Sequence, residues 1–361
     1  MSSKYSLKRN EDDARERLRA FWHGQSLGRP ALYVTAANRD YEPRSWSDPE
    51  PDLKARDLSP EWQLVEALNC LEQTVCLAEA MPGFVVRFGN WIPLLAVLMG
   101  GQYEYHDDEA WIEPMEDCLD SPLPAFDKEH PIVQGLTKVI RHLADTIGDR
   151  AIISPVPWMD GITLLASFRT HSRFCMDLID VPEKIKRWTA AATRVLIAGY
   201  GYFYEELKSL GYEEPLSWLN VMAEGKMEPV QCDASIMLSP AMFEEFVMPD
   251  LRRLTEYLDF SLYHLDGSGA MRFIDQLSSL AKLNAIQYNP EPGNSGYPLS
   301  FIDDFREIRS RNLSLYVNCC TVEQALQLTK ELGPDGLFIV LPSFESEIEA
   351  QYAIERITKA C

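Results

Sequence analysis

The sequence predicts an α/β protein and, within that class, a single (β/α)8 barrel. Short apolar runs of strand length alternate with amphipathic helical segments, the pattern of βαβ units in a covered parallel sheet. About seven such units favour closure into a barrel over an open sheet. The doubly wound fold is the alternative, but its glycine-rich fingerprint G-x-G-x-x-G does not follow the first strand. We therefore predict one domain over residues 1–361.

The first half of the chain has the less regular pattern. Residues 1–29 form a helix and lead-in, an N-terminal extension in which the helical spacing stops at Gly24. Residues 40–60 are rich in proline and charge and predict an irregular loop. Strands are predicted over 31–38 and 84–88, an extended segment or hairpin over 102–115, and helices over 11–23, 60–80, 91–99 and 132–147.

In the second half of the chain, strand-like runs alternate more evenly with segments of helical periodicity. The predicted strands are 151–155, 217–222, 261–264, 284–288, 313–318 and 337–341. Between most of them lie predicted helices over 174–210, 240–258, 271–281, 302–309 and 322–332.

Composition excludes several classes of function. The net charge is −21 and no cluster of Lys and Arg occurs, so nucleic acid is not an expected partner. No run approaches the roughly 20 apolar residues of a membrane helix, and the charged N-terminus has no signal-like apolar segment. The eight cysteines are scattered, without a disulfide framework. These features predict a cytoplasmic protein.

Polar residues end nearly every predicted strand, where parallel barrels build their sites. Each could instead simply begin a polar loop, and for any one residue that is the simpler interpretation. The candidates for substrate binding are Asn90, Trp158, Asp160, Asn220, Gln287, Tyr288 and Asn318, and the candidates for catalysis are Asp233, His264 and Asp266.

His264 and Asp266 are the strongest pair among them. Residues two apart on a strand project to the same side, so an imidazole and a carboxylate lie side by side. Cys320, or Cys319 as the alternative, ends a later strand and could complete a zinc site with this pair. A His–Asp hydrogen bond that holds a loop, with one buried cysteine, is the alternative interpretation.

The segment CDASIMLSPAMFEEFVMPDLRRL (232–254) resembles the uroporphyrinogen decarboxylase superfamily, with its Leu-Ser-Pro-x-x-F-x-x-F-x-x-P pattern. HLDG (264–267) is similar to the His-x-Cys-Gly element of the methyltransferases in that superfamily, which work with corrinoids or coenzyme M. SRFCMDLIDVPEKI and RERLRAFWHGQSLGRPAL resemble further family segments, in the right order. The resemblance implies the (β/α)8 fold and, by analogy, a homodimer.

Departures from the family pattern disfavour uroporphyrinogen decarboxylase activity. Of the arginine-rich N-terminal loop, TAANRDYEPR keeps only Arg39. Asn90 stands where the resemblance places the key aspartate, and an amide cannot carry the charge that stabilises pyrrole protonation. The C-terminal segment LPSFES lacks the family's histidine.

The methyltransferase branch implies a zinc ion that activates an acceptor thiol. His264 matches its first ligand and Asp266 replaces the first cysteine, while Phe344 lies near the position of the late cysteine. Cys320 or Cys319 could compensate, and an aspartate ligand widens the choice of metal.

Three hypotheses follow. The first is a methyltransferase-like enzyme that transfers a methyl group between a small molecule and a corrinoid or thiol, with zinc at the barrel mouth. The second is a metal-free barrel, binding or lyase-type, that uses His264, Asp233, Trp158 and Tyr288. The third is a non-catalytic partner of a corrinoid protein.

Overall fold

The computed structural model describes residues 5–45, 52–89, 93–107, 109–291, 293, 296–318 and 320–361. It is a mixed α/β fold with a mostly parallel central sheet, which confirms the predicted class. The strands are β1 (Ala31–Ala37), β2 (Thr74–Ala78), β3 (Gly83–Val85), β4 (Tyr103–His106), β5 (Glu109–Ile112), β6 (Ile152–Ser154), β7 (Met227–Gln231), β8 (Phe260–Asp266), β9 (Ala285–Asn289), β10 (Ser314–Val317) and β11 (Leu337–Val340).

Helices surround these strands and account for most of the remaining regular structure. They are α1 (Glu11–Trp22), α2 (Leu53–Asp57), α3 (Pro60–Glu72), α4 (Pro93–Leu98), α5 (Pro131–Ile147), α6 (Gly161–Arg169), α7 (His171–Asp180), α8 (Pro182–Ser209), α9 (Pro240–Met242), α10 (Met248–Tyr257), α11 (Ile274–Ser278), α12 (Ile302–Ser310), α13 (Val322–Leu332) and α14 (Glu347–Lys359). Within the described part of the chain, no helix combines the length and the apolar composition needed to cross a membrane.

The central sheet contains seven strands in the order β2-β1-β11-β10-β9-β8-β7. All neighbours from β1 to β7 are parallel, and only β2 runs antiparallel, along β1. β3 and β6 form a separate parallel pair, and β4 and β5 form the predicted hairpin. No ladder between described residues joins the β3–β6 pair to the central sheet. Closure into a (β/α)8 ring therefore stays a prediction.

β7 is the last strand of the central sheet, and its sequence explains why. Pro229, in the middle of the strand, has no N–H to donate, and proline is confined to edge strands and bulges. The carboxyl group of Glu228, on the same strand, accepts a hydrogen bond from the backbone of Trp158, in the segment that follows β6.

One predicted element is too long and another is wrong. The helix predicted over 60–80 ends at Glu72, and residues 74–78 form β2 because they pair with β1. The strand predicted over 217–222 is a turn, in which the Ser217 N–H donates to the Val221 carbonyl at 2.9 Å. Asn220 occupies this turn with φ of 58°, a left-handed conformation that asparagine adopts more readily than most residues.

Other boundaries shift for local reasons. The helix predicted over 174–210 is two helices, since Pro182 cannot continue α7 and instead starts α8. The helix predicted over 240–258 is interrupted by a π-helical turn at Phe243–Val247. Elements that the apolar pattern did not predict are α2, inside the loop 40–60, and β7, α6 and α14.

Candidate functional site

Asp233, His264 and Asp266 lie together at the C-terminal ends of β7 and β8. The register pairs Gln231 with His264, so the chain that leaves β7 brings Asp233 beside the end of β8. One ligating atom from each of the three side chains lies within 4.8 Å of the other two. The structure thus brings together all three residues that we predicted to be catalytic.

A hydrogen bond to the neighbouring strand sets the tautomer of His264. Its Nδ1 contacts Oε1 of Gln287, the residue opposite it on β9. Because an amide oxygen can only accept, Nδ1 carries a proton, and in the uncharged imidazole the lone pair is on Nε2. Nε2 lies 3.9 Å from Oδ1 of Asp266, and the Trp218 ring packs edge-on against the imidazole with centroids 5.2 Å apart.

The two carboxylates have different surroundings. Asp233 is mostly buried, accepts a hydrogen bond from Gln231 at 3.2 Å, and has one oxygen, Oδ1, without a partner in the described chain. Burial raises the pKa of Asp233, and the negative charge of Asp266 raises it further. Asp266 is half exposed and accepts a hydrogen bond from Asn289 at 2.7 Å. A cation would lower the energy of both charged forms.

The cluster opens onto a cavity of about 250 Å³. Its walls are formed by Pro157, Trp158, Met159, Trp218, Gln231, Asp233 and His264. This volume lies just below the roughly 300–1,000 Å³ of pockets for drug-sized ligands, so the cavity suits a smaller molecule. Met159 also borders a wider groove of about 670 Å³, next to the hairpin β4–β5.

Asp160 stands behind the cavity wall rather than in it. Its Oδ1 accepts from the Thr163 N–H at 2.8 Å and caps the N-terminus of α6. Burial, together with the negative charge of Asp233, raises the pKa of Asp160 to about 7. Of these two predicted substrate-binding residues, Trp158 borders the cavity, whereas Asp160 supports the wall behind it.

Three further predicted site residues lie elsewhere. Tyr288 neighbours Gln287 on β9, so it faces the other side of the sheet, where its hydroxyl donates to Asp304 at 2.5 Å. Asn220 is exposed in its turn, and the backbone N–H of Asn318 donates to the hydroxyl of Tyr297. None of the three borders the cavity beside His264.

Cys320, the predicted third ligand, does not join His264 and Asp266, whereas Asp233 does. Cys320 is fully buried, with its Sγ 3.6 Å from the Asn318 carbonyl oxygen, and it is not part of the ligand cluster found among the described residues. Asn90 and Cys319, the other two predicted site residues, lie outside the described residues.

Sequence reasoning missed several residues that complete the site. Trp218 was assigned to a strand that does not form, and Met159 carried no signal of its own. Gln231 and Asn289 were detectable in principle, because each lies on a strand beside a residue of the cluster. Their role depends on the pairing of β7, β8 and β9, which cannot be predicted from a single sequence.

The donor set fits a divalent metal ion. Three protein ligands are the number that a catalytic zinc site supplies, imidazole and carboxylate are both zinc ligands, and the two carboxylates also suit Mn²⁺. The unpartnered Oδ1 of Asp233 and the free lone pair of His264 Nε2 are both available to a cation. Gln287 supplies the outer hydrogen bond that orients a metal-bound histidine.

Comparison of the chain with protein-family models and with curated proteins finds no match in either set. The family resemblance of the sequence segments therefore remains an expectation.

Proposed function

We propose that this chain is a metal-dependent, methyltransferase-like enzyme with a divalent ion, zinc foremost, held by Asp233, His264 and Asp266. The observation that carries the proposal is the convergence of these three side chains within 4.8 Å beside a cavity for a small molecule. A bound metal would supply Lewis-acid activation by lowering the pKa of a coordinated thiol or water.

The chain's own residues would hold the substrate and position the ligands. Gln287 keeps the His264 proton on Nδ1, and Asn289 holds Oδ1 of Asp266 in place. Trp158, Met159 and Trp218 provide an apolar wall that excludes water from the reacting molecule.

Methyl transfer is favoured within this class by the Leu-Ser-Pro-x-x-F-x-x-F-x-x-P and HLDG segments. In this proposal the strands close into the (β/α)8 barrel, with the cluster at its mouth. A corrinoid exceeds the 250 Å³ cavity, so it would be presented by a partner protein, while a small thiol could enter.

A second candidate is a metal-free enzyme that moves protons, for example a lyase. The buried Asp233, whose pKa is raised, is suited to act as a general acid beside the imidazole of His264. The third candidate, a non-catalytic partner of a corrinoid protein, needs neither a metal nor turnover.

Metal content tests the proposal directly. We expect about one zinc, manganese or similar ion per chain after purification without chelator. His264→Ala and Asp266→Ala should abolish stoichiometric binding measured by elemental analysis and calorimetric titration. Gln287→Leu should weaken the affinity roughly 10–100-fold while it leaves the stoichiometry intact, because only the outer hydrogen bond is lost.

Asp145→Ala is the matched control, since Asp145 is an exposed carboxylate on α5 outside the cluster. Its metal content should equal that of the unmodified protein. Absence of metal, and no binding of added Zn²⁺ or Mn²⁺, would leave the metal-free enzyme or the corrinoid-protein partner in its place.

A further inference from the structure

A second, much smaller cavity lies behind the wall of the candidate site. It has a volume of about 20 Å³ and lies between β7 and the helices α8 and α10. Trp158 borders both this cavity and the one beside His264. The remaining lining is mainly apolar and includes Leu196, Val230 and Leu254.

Three polar side chains border this small cavity, and each of them has one polar atom without a hydrogen-bond partner among the described residues. They are Glu228 through Oε1, Asp160 through Oδ2 and Trp158 through Nε1, and each atom is buried with no hydrogen bond to the described chain. The residues are 8%, 9% and 4% exposed, respectively. Buried polar atoms without partners are rare, because each loses its hydrogen bonds to water on folding.

The size and the polarity of the cavity match one water molecule. A cavity needs roughly 10–15 Å³ to hold a water, and the water needs two to four polar partners. A second polar ligand would not fit, and an empty cavity would leave two acids and an indole N–H unsatisfied.

Within the described residues, no Lys or Arg forms an ion pair with Glu228, and no positive charge is among the causes that shift its pKa. Its carboxyl group accepts a hydrogen bond from the Trp158 backbone, and burial raises its pKa to about 8. The protonated acid is therefore the main form at neutral pH, and it has an O–H to donate.

We propose that one ordered water occupies this cavity, accepts hydrogen bonds from Trp158 Nε1–H and the protonated Glu228, and donates to Asp160 Oδ2. Glu228 is then a positioning residue, since it fixes both the backbone of Trp158 and, through the water, its indole ring. This role is independent of whether the neighbouring cluster binds a metal.

Two measurements on the full chain test the proposal. A crystal structure at a resolution that shows ordered solvent should contain one water within hydrogen-bond distance of all three atoms. Infrared spectroscopy at neutral pH should show the C=O stretch of a buried protonated acid that is lost in Glu228→Gln and retained in Asp160→Asn. The exposed Glu244→Gln is the matched control and should leave this band unchanged.

The band should also disappear as the pH rises through about 8 in Asp160→Asn, where the titration of Asp160, whose own pKa is raised to about 7, does not contribute. This measurement tests the role even if the glutamine variant does not fold. The other titratable groups that line the cavity are Asp160, Tyr200 and Tyr257. Burial raises the pKa of both tyrosines, so they stay neutral over that range. An empty cavity, a metal ion in it, or a spectrum without the Glu228 band would overturn the proposal.

Discussion

At the scale of single residues, the site depends on carboxyl groups held in unequal surroundings. The side chain of Asp266 is half exposed to solvent. Asp233 lines the cavity, and the buried Asp160 lies behind the cavity wall. Burial, together with the negative charge of Asp233, raises the pKa of Asp160 to about 7. A pKa shifted by burial and by a specific charged neighbour is typical of functional sites.

Asp160→Asn should make the protein less sensitive to pH. The pKa of Asp160 is raised from 3.8 to about 7, so the folded state holds a proton that the unfolded state has lost. The stabilisation that comes from this bound proton is therefore complete below about pH 4 and is lost as the pH rises to about 7. Asparagine keeps the helix cap but cannot ionise.

We expect the free energy of unfolding of Asp160→Asn, from urea titrations across this window, to fall less steeply by up to about 1.4 kcal/mol per pH unit. The exposed Asp145→Asn should keep the slope of the unmodified protein. An unchanged slope in Asp160→Asn would show that Asp160 titrates near its ordinary value in the folded state.

At the scale of elements, α8 supports the site from behind. Gly199 lies where this helix passes the Trp158 ring, and a Cβ at that position would stand 2.4 Å from Cη2 of the indole. The glycine is thus required by packing, although glycine is about 1 kcal/mol less favourable than alanine in a helix.

Gly199→Ala should destabilise the protein by about 1–3 kcal/mol despite its better helix propensity, because the indole must move within a packed wall. Urea unfolding gives the stability, and near-UV circular dichroism reports the displaced tryptophan. Ala198→Gly, one residue earlier on the exposed face, should lose about 1 kcal/mol without that spectral change. A Gly199→Ala variant as stable as the parent would mean that Trp158 does not pack against α8.

At the scale of the whole molecule, the net charge of −21 is the dominant electrostatic feature. Excess charge of one sign destabilises a compact state by self-repulsion, while isolated surface ion pairs contribute little. Added salt weakens the attraction in exposed ion pairs such as Arg306–Glu331, and it also weakens the repulsion among the excess negative charges.

Raising the concentration of KCl from about 0.01 M to about 0.15 M shortens the screening length from about 30 Å to about 8 Å. We expect Tm to rise by about 1–3 °C in calorimetry, with chelator present so that metal binding does not contribute. NaCl should give the same shift, since the effect is screening. A fall in Tm would show that the ion pairs outweigh the repulsion.

Much of the fold could be predicted because its signals are local. The hairpin over 102–115 has alternating residues around a turn, and α13 has its cap at Thr321. The failures were where long-range pairing overrode local preference. Residues 74–78 continue a helical pattern in the sequence but form a strand that pairs with β1. β7 is a buried strand, but Glu228 and Pro229 interrupt the apolar run by which a strand is predicted.

The sequence by itself determined the α/β class, the polar strand ends and the shared direction of His264 and Asp266, because side chains alternate along any strand. Only the tertiary structure decided that Asp233 joins them and that Gln287 fixes the histidine, whereas Cys320 is buried elsewhere. These contacts join residues from separate strands, and their closeness follows from strand order and register. Both are set by packing of the whole chain rather than by any one segment.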